Sequence, residues 1–332
     1  MKTISQSVKF IESIFGSGII SGGNLNIKCP ECGDSSKKKL SIRLEDHLLH
    51  CWVCGHSGRT LLPLIRKHGS REQIEEYRTR FLPELLTAAE TLRLNHSTSE
   101  IPVLQLPSDY RLLALEGLSK DRDTQEVLVY LKARGIGERE LWHWKLGISN
   151  EYKWRRRVIM PSFDMVGNLN YYVARSIDKV PYMKYINCEI DKITIVFNEL
   201  NINWTKPLTL VEGPFDLAKV RSNATCLLGS SLSERGELFH RILVHETPII
   251  LMLDDEMKTK SQKIARMLNS YAVPTSIATT GNHHDPGEMK SEEVDTQVAT
   301  AKQWEWSDYF ADKLRVLTSG SHLSLKKTGY YQ

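Results

Sequence analysis

Two Cys-x-x-Cys pairs near the amino terminus restrict what this chain can fold into more than any other feature. Cys29-Pro-Glu-Cys32 and Cys51-Trp-Val-Cys54 are separated by eighteen residues. Four thiolates at this spacing meet the tetrahedral demand of Zn²⁺, each pair forming a tight turn on one side of the ion. A disulfide framework is the alternative, and it needs an oxidising compartment. Nothing marks the chain as secreted: Met1 to Ile20 mixes Lys9, Glu12 and glycines into its apolar residues, with no clean signal core. The longest apolar runs, such as Pro248 to Leu253, are of strand length and far short of a membrane span. A reducing cytoplasm and no membrane partner are therefore expected, with Cys188 and Cys226 as buried free thiols. A ribbon of this size has little core of its own, so metal binding must supply much of its folding energy.

At 332 residues the chain can hold two or three units, each with a core. A net charge of +4 does not by itself announce a nucleic-acid binder. Local clusters say more: Lys28, Lys37, Lys38, Lys39 and Arg43 crowd the cysteines, and Lys153, Arg155, Arg156 and Arg157 form a second group. Such clusters suit phosphate backbones and equally suit solvated loops. The ribbon proper runs from about residue 20 to 58, with strands at Leu40–Arg43 and Leu48–Cys51. Residues 59–94 carry apolar residues at helical spacing, and a linker follows from Asn95 to Pro107. Val127 to Ala133 reads as helix stopped at Gly135. Arg157–Pro161 and Asn168–Val173 read as strands joined by a turn at Gly167-Asn168.

Beyond them the pattern alternates. Leu208–Val211 reads as a strand, with a helix near Leu217–Arg221; Ile249–Leu253 reads as a second strand, with a helix through Lys263–Leu268. Such units predict a parallel sheet with its site at the strand carboxyl ends. Each strand ends in an acid, Glu212 and Asp254. Asp216 falls in the following helix, Glu256 two residues past Asp254, and Asp285 in a later loop. Carboxylates gathered this way suit Mg²⁺ held together with substrate phosphates, for phosphoryl transfer. A favourable helix start would explain Asp216 as well.

In this order the motifs resemble those of bacterial-type (DnaG-like) DNA primases, and most closely the stand-alone primases of tailed bacteriophages. The zinc ribbon comes first. Tyr130-Leu-Lys-Ala-Arg-Gly-Ile136 looks like the opening segment of the family's polymerase core, and Arg157-Val-Ile-Met-Pro161 is similar to its basic strand. Ala174-Arg175 and Lys184-Tyr-Ile-Asn187 match the motifs that follow. Glu212-Gly-Pro-Phe-Asp216, Asp254-Asp255-Glu256 and Asp285-Pro286 resemble the acidic signatures of a Toprim domain. The resemblance implies an α/β (α+β overall) chain: an N-terminal zinc ribbon, then a primase polymerase core containing a Toprim parallel sheet. Its expected divisions are 1–58 zinc ribbon, 59–108 helical segment and linker, 109–204 N-terminal subdomain of the core, 205–290 Toprim subdomain, and 291–332 helical segment and tail.

Carried over residue by residue, the resemblance makes Glu212, Asp216, Asp254, Glu256 and Asp285 the catalytic acids that hold Mg²⁺ or Mn²⁺. Asp255 competes with Glu256 as a ligand, and Glu212 is the candidate base or metal-ordering acid. Arg157, Arg175 and Lys184 would bind triphosphate or the nascent strand. Cys29, Cys32, Cys51 and Cys54 would hold one structural zinc in a module that reads the template. There Lys39, Arg43, His50 and Trp52 are the DNA-facing candidates, and surface or packing roles stay open for each.

The chain departs from the family pattern in four places. Asp-Asp-Glu replaces Asp-x-Asp, Met257-Lys258-Thr259 stands where a glycine often follows that signature, Gly287 stands where a second Asp is common, and four cysteines replace a set that often includes histidine. No Gly-Lys dipeptide occurs, so no Walker A lysine is present. Fewer than fifty residues follow Asp285. A separate replicative helicase is therefore expected as partner, beside single-stranded DNA, ribonucleoside triphosphates and single-strand-binding protein. The tail from Thr318 to Gln332 could touch the helicase or simply fray. The rival functions are a non-catalytic zinc/Toprim recombination mediator and a Toprim nuclease; the Arg157/Arg175/Lys184 block has no use in the first, and ribonucleotides none in the second.

Overall fold

A computed structural model of the chain describes residues 4–32, 37–58, 60–83, 104–307, 309–311 and 314. Most of residues 59–94 beyond Pro83, most of the expected linker and the whole Thr318–Gln332 tail lie outside the described residues. Three five-stranded sheets organise the rest, in a mixed α/β arrangement. Among the described residues no helix is long and apolar enough to cross a membrane.

The first sheet is an antiparallel run of β1 (Ile19–Ser21), β2 (Asn24–Ile27), β3 (Leu40–Arg43), β4 (Leu49–Cys51) and β5 (Ser57–Gly58). Side chains alternate across it with period two. Leu25, Ile27, Leu40, Ile42, Leu49 and Cys51 are buried, while Asn24, Asn26, Ser41, Arg43 and His50 face outward. Gly22 and Gly23 close the β1–β2 hairpin with φ of +56° and +79°, a two-residue turn that only glycine enters without strain.

This ribbon does not stand alone, as its size led us to expect. The amino-terminal helix α1 (Ile4–Phe15) buries Phe10 and Ile11, and Phe10 meets Phe81 with ring centroids 4.9 Å apart. Helices α2 (Leu62–His68) and α3 (Arg71–Arg80) join the same core. Among the described residues of the 59–94 stretch, α2 and α3 are separated by a break at Gly69-Ser70. A Cβ on Gly69 would lie 2.8 Å from the Ile65 carbonyl. Ser70 and Gln73 then form a capping box that starts α3.

The second sheet is antiparallel, in the order β10 (Tyr185–Asn187), β9 (Leu169–Ser176), β8 (Arg157–Phe163), β7 (Gly147–Ile148) and β6 (Arg111–Leu112). Helix α4 (Arg122–Ala133) begins at Asp121, whose carboxylate accepts from the Thr124 amide at 2.9 Å, and α5 (Glu138–His143) follows. The third sheet has the order β12 (Ala224–Cys226), β11 (Leu208–Val211), β13 (Ile249–Leu251), β14 (Thr275–Ile277) and β15 (Lys302–Gln303). Its first four strands are parallel, and only β15 is antiparallel. Four helices accompany it: α6 (Pro214–Leu217), α7 (Glu237–His245), α8 (Lys258–Ser270) and α9 (Ser291–Ala299). Two expectations need correction. The helix expected near Leu217–Arg221 is α6, started earlier by Pro214, whose missing N–H costs nothing at a first helical position. The segment after residue 290 is not helical throughout, because β15 adds an edge strand within it.

The parallel sheet is covered on both faces, which is why its strands read as continuous apolar runs. Leu208, Leu210, Ile249 and Leu251 belong to the core shared with the ribbon and its helices. Val211 and Met252 belong to the core shared with the second sheet. Arg66 on α2 fastens the ribbon side: it donates to the Tyr271 carbonyl at 2.9 Å and to Glu246 at 2.5 Å, and Arg78 reaches Glu246 at 2.9 Å.

Candidate active site and metal centre

Parallel register brings the acids together. Leu208 pairs with Ile249 and Leu210 with Leu251, so β11 and β13 end side by side. Glu212 and Asp254 therefore leave the sheet at one edge. Asp216 lies on α6, where its Oδ2 accepts from the Gly213 amide at 3.0 Å. Asp285 precedes a turn of 3-10 helix, 286–288, packed on α6. A cavity of about 290 Å³ opens here, walled by Glu212, Asp216, Asp254 and Asp285 and, from the second sheet, by Arg175, Lys184, Tyr185 and Asn187.

The carboxylates are poorly compensated. Glu212 Oε2, Asp254 Oδ1 and Asp285 Oδ1 are buried with no hydrogen-bond partner. Burial, then the charges of Asp285 and Asp254, pushes the Asp216 carboxyl up to about 7, against the Gly213 amide and Arg175. Burial, then the charges of Glu212 and Asp285, with a smaller push from Glu256, raises Asp254 to about 6. Acids that repel one another around one cavity suit a hard divalent cation, so these residues could hold Mg²⁺.

The sign of the pH response follows. Both carboxyls start near 3.8 in the unfolded chain, so between about pH 4 and pH 7 the folded, cation-free protein keeps protons the unfolded chain has lost. Its stability falls as pH rises through that window. Thermal unfolding with a chelator present is expected to show a lower Tm at pH 7.5 than at pH 5. Added Mg²⁺ should restore the difference at pH 7.5 and do little at pH 5, whereas equal Mg²⁺ effects at both would contradict the cation assignment.

Arg175 lies against two neighbouring rings. Its guanidinium carbon lies 5.3 Å from the Tyr185 centroid and 5.0 Å from that of Phe215, and its Nη1 donates to the Tyr185 hydroxyl at 2.6 Å. The Arg175 Nε is buried and unpartnered, facing the same needs as a phosphate acceptor would meet. Lys184 lines the cavity just before β10. Arg157 stands apart from the cavity wall: its Nη2 donates to the Met183 carbonyl at 3.0 Å, and its Nη1 is buried without a partner. Glu256 is exposed outside the wall and touches the site only through its charge on Asp254. The Asp255 side chain lies outside the described part of the structure.

Sequence reasoning did not show how Gly287 and Arg134 meet the acids. A Cβ on Gly287 would sit 2.9 Å from Asp216 Oδ1, 3.0 Å from Asp285 Oδ1 and 3.1 Å from an Arg134 Nη. Gly287 thus lets three charged groups converge. Arg134 belongs to the quoted Tyr130–Ile136 motif, and nothing in its local spacing says that it reaches the acids. Gly287→Ala is expected to retain the fold but lower Mg²⁺ affinity about tenfold, by forcing Asp216 and Asp285 apart. Calorimetric titration with Mg²⁺ measures this, and unchanged affinity would show that the close approach is incidental.

The basic group at 153–157 is not a free patch. Arg155 binds Asp123 at 2.5 Å, and Arg156 binds Asp123, Glu126 and Asp178 at 3.0, 2.6 and 2.9 Å. Acids distant in sequence neutralise these two arginines, while Lys153 lies over the Trp154 ring.

In the ribbon the Sγ atoms of Cys29, Cys51 and Cys54 lie within 4.8 Å of one another, a set able to hold a metal ion. Cys32, half-buried, turns back so that its amide donates to the Cys29 carbonyl at 3.3 Å, and it is the fourth candidate. Cys188 and Cys226 are buried free thiols. Of the DNA-facing candidates, Lys39 is exposed, and Trp52 is 73% exposed with His50 edge-on to it at 4.5 Å. Trp52 is therefore no core residue. Arg43 is engaged by Asp46 at 2.7 and 2.5 Å.

No protein-family model and no curated protein sequence matches the chain. Solved structures are similar to it. The zinc-binding and RNA polymerase domains of the Aquifex aeolicus primase share 18% identity, over 92% of this chain and 87% of that one, with a TM-score of 0.47. A DNA primase domain from Pseudomonas aeruginosa shares 16% over 60% and 79%, at 0.46. The E. coli primase catalytic core shares 15% over 55% and 75%, at 0.45.

Proposed function

We propose that the protein is a DNA primase that joins ribonucleoside triphosphates on a single-stranded DNA template. One observation carries this reading: four carboxylates, three with unpartnered buried oxygens, face Arg175 and Lys184 across one cavity. That pairing suits a nucleotide whose phosphates bridge protein cations and protein-held metal. Glu212, Asp216, Asp254 and Asp285 would hold Mg²⁺ or Mn²⁺, which supplies charge neutralisation at the reacting phosphate and acidifies the attacking hydroxyl. Arg175, packed against Tyr185 and Phe215 and hydrogen-bonded to the Tyr185 hydroxyl, would orient a triphosphate with less entropy to lose. Lys184 would add a mobile point charge. Glu212 is the candidate for receiving the 3′-hydroxyl proton.

The ribbon would hold one zinc through Cys29, Cys32, Cys51 and Cys54 and present Lys39, His50 and Trp52 to unstacked template bases. Arg43 would join them only by releasing Asp46. In this reading the Toprim signatures Glu212 to Asp216 and Asp254 to Glu256 define the catalytic subdomain. The enzyme would act in the cytoplasm of a phage-infected cell, with a separate helicase and single-strand-binding protein. The test is incubation with single-stranded DNA, Mg²⁺ and labelled ribonucleotides. Short RNA is expected. DNA cleavage without RNA would instead favour a nuclease, and neither activity, with the cognate helicase added, would favour a mediator.

A further inference from the structure

The loop 178–184 leads into Lys184, yet almost nothing packs on it. Val180 is 94% exposed and Tyr182 fully so. It is tied at its two ends by adjacent arginines. Arg156 Nε donates to Asp178 Oδ1 at 2.9 Å, while its Nη1 reaches back to Asp123 at 3.0 Å and Glu126 at 2.6 Å on α4. Arg157 Nη2 donates to the Met183 carbonyl at 3.0 Å. The backbone joins in: Ile177 donates to the Arg156 carbonyl at 3.1 Å, and Ser176 to the Lys184 carbonyl at 2.9 Å. Arg156 reaches this position through a left-handed backbone, φ +56°, a conformation a long side chain adopts only when its surroundings enforce it. Arg156 thus links α4 to the start of the loop and Arg157 holds its end, together forming a strap.

We propose that Arg156 is a positioning residue whose ion pairs to α4 and Asp178, with Arg157 on Met183, fix residues 178–184 so that Lys184 stays in the cavity wall. This rests on the reading of that cavity as a nucleotide site. It also gives the basic cluster a role other than phosphate binding. Asp123, Glu126 and Asp178 are the charged groups facing Arg156, and they engage its Nε and Nη1 and offset its charge.

Two variants test the strap, Arg156→Ala and Asp178→Asn; the second removes only an exposed carboxylate, so it keeps the test open should the first fail to fold. Both are expected to raise KM for ribonucleotide about five- to tenfold with kcat within twofold, the effect of misplacing one charged contact. Arg156→Lys, able to keep one ion pair, should recover part of the loss. Adding Lys184→Ala to Arg156→Ala should cost little more than Lys184→Ala alone, since both act through one ammonium. Tryptic cleavage after Lys179 reads the loop directly and should accelerate severalfold in both variants. Unchanged cleavage and KM, or a fall in kcat alone, would overturn the proposal. Should the wild type make no RNA, the primase reading falls, while cleavage after Lys179 still decides whether the strap exists.

Discussion

Asp254→Asn is expected to reduce primer synthesis by about a thousandfold or more while leaving the protein folded and, without divalent cations, more stable than wild type. The substitution is isosteric, so packing at the end of β13 is kept. What changes is charge. Asp254 is raised to about 6 by burial and by Glu212 and Asp285, so above that pH its ionised form strains the cation-free fold. An amide removes the repulsion, and the Tm measured with chelator at pH 7.5 should rise by a few degrees. The same amide offers only one neutral oxygen where Asp254 Oδ1 is now a buried anion without a partner. Mg²⁺ binding and transition-state stabilisation are lost together. This opposition of stability and activity marks a functional carboxylate, since a structural one would lose stability on the same change. Glu256→Gln is the matched control: exposed and outside the cavity wall, it should cost no more than about fivefold. A folded Asp254→Asn protein with near wild-type synthesis would sink the reading of this cavity as the catalytic site.

What was legible in the chain follows from distance along it. Strands Leu208–Val211 and Ile249–Leu251 announce themselves because a parallel sheet buried on both faces needs unbroken apolar runs. The acids after them could be placed on one edge because parallel strands share a direction. Helix α1 was not foreseen, since its twelve residues were weighed only as a targeting segment although Phe10 and Ile11 fall on one face. Strand β15 has two residues, too few for any period. The capping box Ser70-x-x-Gln73 was visible in the sequence and went unused. The basic run 155–157 stayed open between phosphate contact and solvated loop for a different reason. The partners of Arg155 and Arg156, namely Asp123, Glu126 and Asp178, lie some twenty to thirty residues away, and only the fold brings them close. Charge is local in sequence, but its neutralisation is a property of the fold. Gly287 and Arg134 follow the same rule, meeting the acids only across elements.

Removal of zinc, by chelation or by Cys51→Ser, is expected to uncouple template binding from the catalytic cavity without unfolding the chain. Cys51 is fully buried at the end of β4, and Cys29 nearly so. Burial, aided by the sulfurs of Cys51 and Cys54, pushes the metal-free Cys29 thiol up to about 12, so zinc uptake must release its proton. At Cys51 burial is outweighed by the backbone amides of Cys54 and Val53, which hold that thiol below its usual value. A ribbon alone would then unfold, as small zinc modules do. Here Leu25, Ile27, Leu40 and Ile42 pack with Phe10, Tyr77 and Phe81 in a core that continues into the third sheet, and Arg66 is tied to Tyr271 and Glu246. That shared core should hold the sheet while the two cysteine turns loosen. If Cys51→Ser weakens zinc binding about a hundredfold, linkage lowers stability by about 2.7 kcal/mol, a Tm fall of roughly 5–10 °C. Trp52 and His50 follow directly after or within β4, so single-stranded DNA affinity should fall at least about tenfold. Ribonucleotide affinity at the distant cavity should stay within about twofold. Metal analysis, thermal unfolding and the two titrations check this in one preparation. Full unfolding on chelation would show that the shared core contributes less than the metal. Unchanged DNA affinity would detach the ribbon from template binding altogether.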